Sequence, residues 1–389
     1  MWRLAIICVF CLLPTSRTRA ATESEKRPVG VVRVIRKVGA IIDSMSVKGL
    51  DRQYIEAPKQ PWQFIVRGNI NQSELRLKSR INGNAFFSDA FGEVSWQSRI
   101  KTDPATYAGV WAGYRGYGFG YSWNVGGDKG RILTFGATGG SYGVNLRIHS
   151  FSNDKPEVSY SYSFLDEATG IPYSERIDQT YVLSSPIKTR TLLLDAYYFF
   201  NGKRFSYAAA YDQSVIQRRS AGSFMVGGMY YHSHINYLQD ENADFILLMD
   251  DIGRIKQWQL SLGAGYAYNL VPCKGLLISA MAMPMVTVFD RHKTWRYDSN
   301  LRELAIDEEE HSDEEVENLI YQLKPEPMSV TTRHGGINVN FDVRLSVTYQ
   351  LNRFFINAYG QYSNFHYKDG GVKGVLNDWY VNAALGVRF

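Results

Sequence analysis

Between residues 336 and 350 the chain alternates without a break. Ile337, Val339, Phe341, Val343, Leu345, Val347 and Tyr349 fall on one face, and Gly336, Asn338, Asn340, Asp342, Arg344, Ser346, Thr348 and Gln350 on the other. A helical period would mix the two sets; a strand, with its period of two, separates them. The pattern returns in 256–269, where Trp258, Leu260, Leu262, Ala264, Tyr266 and Tyr268 oppose Gln257, Gln259, Ser261, Gly263, Gly265 and Asn269. It returns again in 142–149 and 353–365. The last strand is the most regular: Trp379, Val381, Ala383, Leu385, Val387 and Phe389 share a face, opposite Asp378, Tyr380, Asn382, Ala384, Gly386 and Arg388.

Reading the whole chain this way gives thirteen segments: 62–80, 107–114, 117–125, 131–138, 141–151, 188–200, 204–213, 220–236, 256–269, 274–289, 336–350, 353–366 and 376–389. A soluble β-sandwich also alternates, but its strands are usually about 5–6 residues long. The clearest segments here run from 12 to 15 residues, enough to cross a bilayer as tilted strands. The fold class expected is all-β: a transmembrane antiparallel up-and-down β-barrel of about 12–14 strands. Its apolar faces meet lipid and its polar faces the lumen, because lipid offers no hydrogen bonds to an unpaired edge.

A bacterial single-chain barrel has an even number of strands, so one assignment is wrong. Either 62–80 is two strands hinged at Asn69-Ile70-Asn71, or 244–249 is an extra strand. Tight turns are expected at Arg115-Gly116, Gly139-Gly140, Asn201-Gly202-Lys203 and Leu351-Asn352. Counting back from a periplasmic C-terminus puts 351–352 and 270–274 inside, and 367–375, 290–335 and 237–255 outside. Carried further, the count puts 201–203 outside and the long 152–187 segment inside. Short turns belong inside and long loops outside, so an error of parity lies between about 200 and 256.

Composition supports this reading. The chain has 26 Tyr, 20 Phe, 8 Trp and 34 Gly in 389 residues. No run after residue 20 approaches the length of an apolar transmembrane helix. Residues 1–20 carry Arg3, an apolar run over 4–13, Pro14, and the small residues Thr18 and Ala20. This is the pattern of a cleavable signal peptide. Removing its three arginines from the net charge of +5 leaves +2, too balanced to argue for nucleic acid. Cys8 and Cys11 leave with the signal, and Cys273 has no partner for a disulfide. Residues 21–61 read as a periplasmic segment before a barrel over 62–389. Val34, Ile35, Val38, Ile41 and Ile42 are placed to stripe a short helix, on the membrane or in the lumen.

Several stretches carry a resemblance. Asp51-x-x-Tyr54-Ile55 stands before Trp62, and Tyr107-x-Gly109-x-x-x-Gly113-Tyr114-x-Gly116-x-Gly118-x-Gly120-Tyr121 follows. Gly202-Lys203-Arg204-Phe205-Ser206, Arg219-Ser220-Ala221-Gly222-Ser223 and Gly263-x-Gly265-Tyr266-x-Tyr268-Asn269 complete the set. Over about 51–389 the chain resembles the family catalogued as domain of unknown function 4421, of Gram-negative gut anaerobes of the Bacteroides type. The resemblance implies an outer-membrane barrel and brings no catalytic residue. A terminal Phe389 after alternating apolar residues likewise resembles the signal that barrel-assembly machinery reads. Its residues are Trp379, Val381, Ala383, Leu385, Val387 and Phe389.

Candidate chemistry is sparse. Arg147, Asp342, Arg344, Asp378 and Arg388 fall on lumen faces, and their mixed signs suggest paired ladders that fill or narrow the interior. His232 and His234 share a face about 7 Å apart, with Ser233 opposed and no third ligand to complete a metal site. His149 and Ser150 point apart in the same way. Residues 298–327 hold eleven acidic and two basic side chains, forming an acidic surface loop within 291–335. Ser312 and Glu315 are spaced for a capping box there. A divalent cation or basic partner suits that loop, as does plain solvent. The function expected is an outer-membrane barrel of structural or binding role, in contact with outer-membrane lipids, with no cofactor and no catalytic constellation. A passive pore is the alternative, and a lipid-acting enzyme a more distant one.

Overall fold

The computed structural model describes residues 49–82, 93–127, 129–165, 170–180, 186–236, 252–299, 323–369 and 372–389. In chain order its strands are β1 (Ile55–Glu56), β2 (Trp62–Asn82), β3 (Glu93–Lys101), β4 (Ala105–Tyr114), β5 (Tyr117–Gly126) and β6 (Lys129–Thr138). They continue with β7 (Tyr142–Asn153), β8 (Glu157–Leu165), β9 (Pro172–Thr180), β10 (Ile187–Phe199), β11 (Ile216–Gln217) and β12 (Ala221–Asn236). The last are β13 (Ile252–Cys273), β14 (Leu276–Ser299), β15 (Leu323–His334), β16 (Val339–Leu351), β17 (Phe354–Asp369) and β18 (Val372–Arg388). A five-residue helix, α1 (Tyr207–Tyr211), lies between β10 and β11.

Twelve of these strands form a closed antiparallel ring. Each of β2, β4, β5, β6, β7, β10, β12, β13, β14, β16, β17 and β18 pairs with the next, and β18 returns to β2. The seam is complete to the last residue: Phe389 N–H donates to the Trp62 carbonyl (3.1 Å) and Trp62 N–H to that of Phe389 (3.2 Å). Closure leaves no edge in the ring. The other long strands extend it at one end. β3 pairs with the far half of β2, β8 with β3, β9 with β8, and β15 with the far half of β14.

The alternation is inverted relative to a soluble protein. On β16, Phe341, Leu345, Val347 and Tyr349 are exposed, while Asn340, Asp342, Arg344, Ser346 and Thr348 are buried. Phe64, Val66, Phe135, Leu194, Phe224, Leu262, Ile356 and Leu385 continue the exposed apolar wall around the ring. A sandwich would bury that face; here the polar face is the interior.

Twelve of the thirteen expected segments are ring strands. The exception is 204–213, which holds α1 and irregular chain rather than a strand. That removes the parity error. Asn201-Gly202-Lys203 stands at the same end as Trp62 and Phe389, and the connection from β7 to β10, with β8 and β9, stands at the other, the reverse of the count made from sequence. Residues 62–80 are one long strand whose far half gains β3 as a partner. Two stretches expected to be loops carry the extending strands β8, β9 and β15. The acidic core 307–315, the signal segment and the 34–42 stripe lie outside the described residues.

Candidate functional site in the barrel lumen

The segment 200–220 turns into the ring at its short-turn end and packs against the inner wall. Ser206 caps α1, its hydroxyl accepting from Ala209 N–H (3.1 Å). Ala208–Ala210 follow, small helix formers that let the turn sit against the wall with all three side chains buried. The free carbonyls at the end of so short a helix need partners, and the barrel wall supplies them. Ser346 Oγ (2.6 Å) and Asn357 Nδ2 (3.2 Å) donate to the Ala210 carbonyl. Arg388 donates through Nε (3.0 Å) and Nη2 (2.7 Å) to the Gln213 carbonyl. Gln213 has a positive φ of 59°, and this left-handed turn ends the helix. At the entrance, Gln217 binds the Arg204 and Arg219 carbonyls and accepts from Ser206 N–H, while Asn269 donates to the Ser206 carbonyl. A strap from the N-terminal side lies across the plug: β1 pairs with β11, Asp51 N–H donates to the Lys203 carbonyl, and Arg204 and Arg219 stack on Tyr54.

Four of the five motif stretches therefore have a shared purpose. Asp51–Ile55 is the strap, Gly202–Ser206 the entry of the plug, Arg219–Ser223 its exit, and Asn269 a wall contact. The glycine-rich stretch serves the lumen as well. Gly118 and Gly120 leave the inner wall bare, and the Trp111 indole lies there; a Cβ at either position would come within 3 Å of it.

Beyond the plug the interior is tied by charge. Arg344, on β16, contacts Asp195 (2.8 Å) and Asp342 (3.2 Å) and donates to the hydroxyls of Tyr197 (2.6 Å) and the plug residue Tyr207 (2.9 Å). Asp195 also accepts from Asn145 (2.6 Å), and Asp342 from Tyr197, Gln361 and Ser363. A buried pair costs much to desolvate and holds only when its remaining valences are met; here they are. Arg147 pairs with Asp378 and stacks on Tyr380, linking β7 to β18 across the lumen. In the plug, burial holds the Asp212 carboxyl above the usual carboxylate range, and hydrogen bonds from Ser214 and Thr138 pull part of the way back.

Between plug and ladder lies a cavity of about 100 Å³. Arg67, Trp111, Asn145, Tyr359 and Tyr380 line it. Arg67 donates to Thr134 Oγ1 (2.7 Å) and lies over Trp111, and it forms no ion pair among the described residues. Its Nε and the Trp111 Nε1 are buried donors without an acceptor among the described residues. A second cavity, about 60 Å³, lies nearer the extended end beside Leu75, Phe151, Tyr231 and Ser233.

All five charges expected in the lumen lie on the inner wall: Asp342, Arg344 and Arg388 deeply buried, Arg147 and Asp378 paired. Trp379, Val381, Ala383, Leu385, Val387 and Phe389 lie on the outer face of β18. His232 and His234 face outward and Ser233 inward; His232 stacks on Trp258. No group of three metal-ligating side chains occurs among the described residues. His149 is buried against Tyr107 Oη (2.8 Å). The pattern reading missed the plug, Arg67, Trp111 and Asp195. Ser206 ahead of three alanines, with Tyr207 and Tyr211 one helical turn apart, was the signal available for α1.

Several solved outer-membrane proteins resemble the chain in structure. The Escherichia coli outer membrane protease OmpT is 10% identical, with a TM-score of 0.41, over 86% of this chain and 98% of its own. The translocator domain of the Neisseria meningitidis autotransporter NalP is 10% identical, with a TM-score of 0.28, over 92% and 97%. OprG of Pseudomonas aeruginosa is 10% identical, with a TM-score of 0.25, over 85% and 97%. No curated protein matches the chain by sequence. The family profile described as domain of unknown function (DUF4421) matches residues 49–389, and the chain belongs to that family.

Proposed function

We propose that this protein is an outer-membrane barrel of structural or binding role, exported by a cleavable signal peptide, whose lumen is a closed chamber. The plug carries this reading. Its helix is held inside by Ser346, Asn357 and Arg388, contacts from three wall strands to two backbone carbonyls. The exposed apolar wall supports a membrane setting, since a continuous ring of this kind is stable only against lipid. A binding role suits the cavity, where Arg67 and Trp111 offer donors that an acceptor-rich small solute would satisfy. The outer face of β18, ending at Phe389, serves as the signal for barrel assembly, and the acidic loop as a site for divalent cations or a basic partner.

The alternative, a passive pore, requires a continuous water path. Purified protein in planar bilayers decides between them. We expect no stable conductance steps from the wild type, and open steps when 202–219 is replaced by a two-residue Asn-Gly turn. Steady ohmic steps from the wild type would overturn the closed-chamber reading.

A further inference from the structure

The outer wall changes character abruptly at its extended end. On β13 the outward residues from Leu270 to Leu260 are Leu, Tyr, Tyr, Ala, Leu and Leu; then come Trp258, Lys256 and Arg254. The twelve residue steps from Leu270 to Trp258 span about 40 Å along the strand, or roughly 30 Å across a membrane at the usual tilt. Lys256 thus stands at the level of the headgroups.

Its neighbours on the same row are basic. The paired positions run Arg131, Arg190, His234, Lys256 and Lys293 across β6, β10, β12, β13 and β14, with Ser150 between them on β7 and the row bounded by Trp123 on β5 and Thr332 on β15. One step farther out, Lys129, Lys188 and Arg254 stand on one row; one step inward, Arg291 stands beside Trp258. No Asp or Glu occupies any of these three rows among the described residues. Trp295 gathers three of the cations, with Arg254 at 5.5 Å, Lys256 at 5.5 Å and Lys293 at 4.9 Å from its ring. His234 Nε2 and Arg254 Nε have no hydrogen-bond partner among the described residues.

The other half of the extended end is different. There Glu74 pairs with Arg99 (2.6 Å) and Arg76, Lys101 with Glu157 (3.3 Å), and Arg176 with Asp178 (3.1 Å). That sheet is balanced within itself; the basic rows are not. Cations that repel one another are retained in such a row when an anion lies against them.

We infer that these rows form a one-sided docking belt for the phosphate groups of outer-leaflet lipids, on the face carried by β6 to β14. The lipid tails lie against the apolar wall below, and the phosphates meet the Lys and Arg side chains held over Trp295 and Trp258. This rests on the outer-membrane reading, with the extended end facing outward. The competing occupant is the chain's own acidic loop, which leaves from the top of β14.

The test uses full-length protein folded in detergent, its folded state confirmed by heat-modifiable mobility on gels. Native mass spectrometry compares binding of a doubly phosphorylated lipid A with the same glycolipid after its phosphates are removed. The wild type should prefer the phosphorylated form by at least about ten-fold, less than four basic groups at a membrane surface supply. The R131Q/R190Q/K256Q/K293Q variant should bring the ratio near one, and R76Q/K101Q/R176Q should leave it as in the wild type. If the quadruple variant fails to fold, salt decides with the wild type: the preference must collapse in 1 M NaCl, about a 3 Å screening length. A wild-type ratio near one overturns the proposal. So does a ratio near one that rises only when the carboxylates of 307–315 are replaced by amides, because the loop is then the occupant. Failure to obtain a heat-modifiable barrel at all would fall on the outer-membrane reading instead.

Discussion

Arg344 is the residue on which the interior converges. Its guanidinium contacts two carboxylates on β10 and β16 and donates to one hydroxyl on the wall and one on the plug. Removing one partner of a buried ion pair leaves the other charged and unmatched, at about 3–5 kcal/mol. Arg344→Met should therefore lower stability by that amount in urea unfolding, and adding Asp195→Asn and Asp342→Asn should recover a large part of it. A loss below 1 kcal/mol would mean that water reaches these groups. Asp212 couples the stability of the fold to pH. Burial raises its folded-state pKa above the unfolded value, so the native state binds the proton more tightly. Its contribution is fully present below the unfolded carboxylate pKa and declines as pH rises through the folded one. Asp212→Asn should flatten that fall and make the protein more stable than wild type at neutral pH. Unfolding midpoints at several pH values test this, and a variant less stable than wild type throughout would count against it.

At the scale of elements, β16 shows which face meets what. Val343 is on the lipid side, and Val343→Arg should cost about 2–4 kcal/mol near mid-membrane. Ser346, on the luminal side, would tolerate Arg only in an open, water-filled lumen. The lumen is packed there: Ser346 is 2% exposed and donates to the plug at Ala210. Ser346→Arg should therefore be at least as damaging, by displacing α1. Single cysteines on β16, in a Cys273→Ser background, separate this from a soluble core. Odd positions should react with a lipid-soluble maleimide, and even positions from 340 to 348 with neither reagent. Reaction of even positions from bulk water would reveal an open channel. These elements also mark where sequence is legible. Alternation on β13, β16 and β18 is written in single residues, because lipid and lumen impose opposite demands on neighbours. The plug is not written that way. Phe205, Tyr207 and Tyr211 are apolar enough to mimic a strand, yet the first two are buried and the third half-buried by contacts with Tyr197, Phe199 and Tyr359 that lie far away or beyond a turn. The luminal charges were legible as a face, but their pairing was not, since Arg147 meets Asp378 from the opposite side of the ring.

For the whole molecule the decisive contact joins the two ends of the barrel. β2 and β18 lie far apart in sequence, and their sixteen paired positions run from Gln63–Arg388 to Lys78–Lys373. Until they meet, the ring has two open edges, each a row of unpaired backbone groups that the membrane cannot satisfy. Phe389 ends this seam. Its backbone exchanges two hydrogen bonds with Trp62, and its side chain is exposed on the outer face. Deleting it removes both, whereas Phe389→Ala removes the ring alone. We expect the deletion to reduce the heat-modifiable folded band strongly while export, followed as processed protein in the cell envelope, continues. Phe389→Ala separates the two contributions. A folded yield as low as the deletion's means that the side chain is read during assembly; a yield near wild type means that the backbone closure at Trp62 dominates. An unchanged folded band in the deletion, at unchanged abundance, would show that the seam closes without its last residue and that the end of β18 carries no assembly signal.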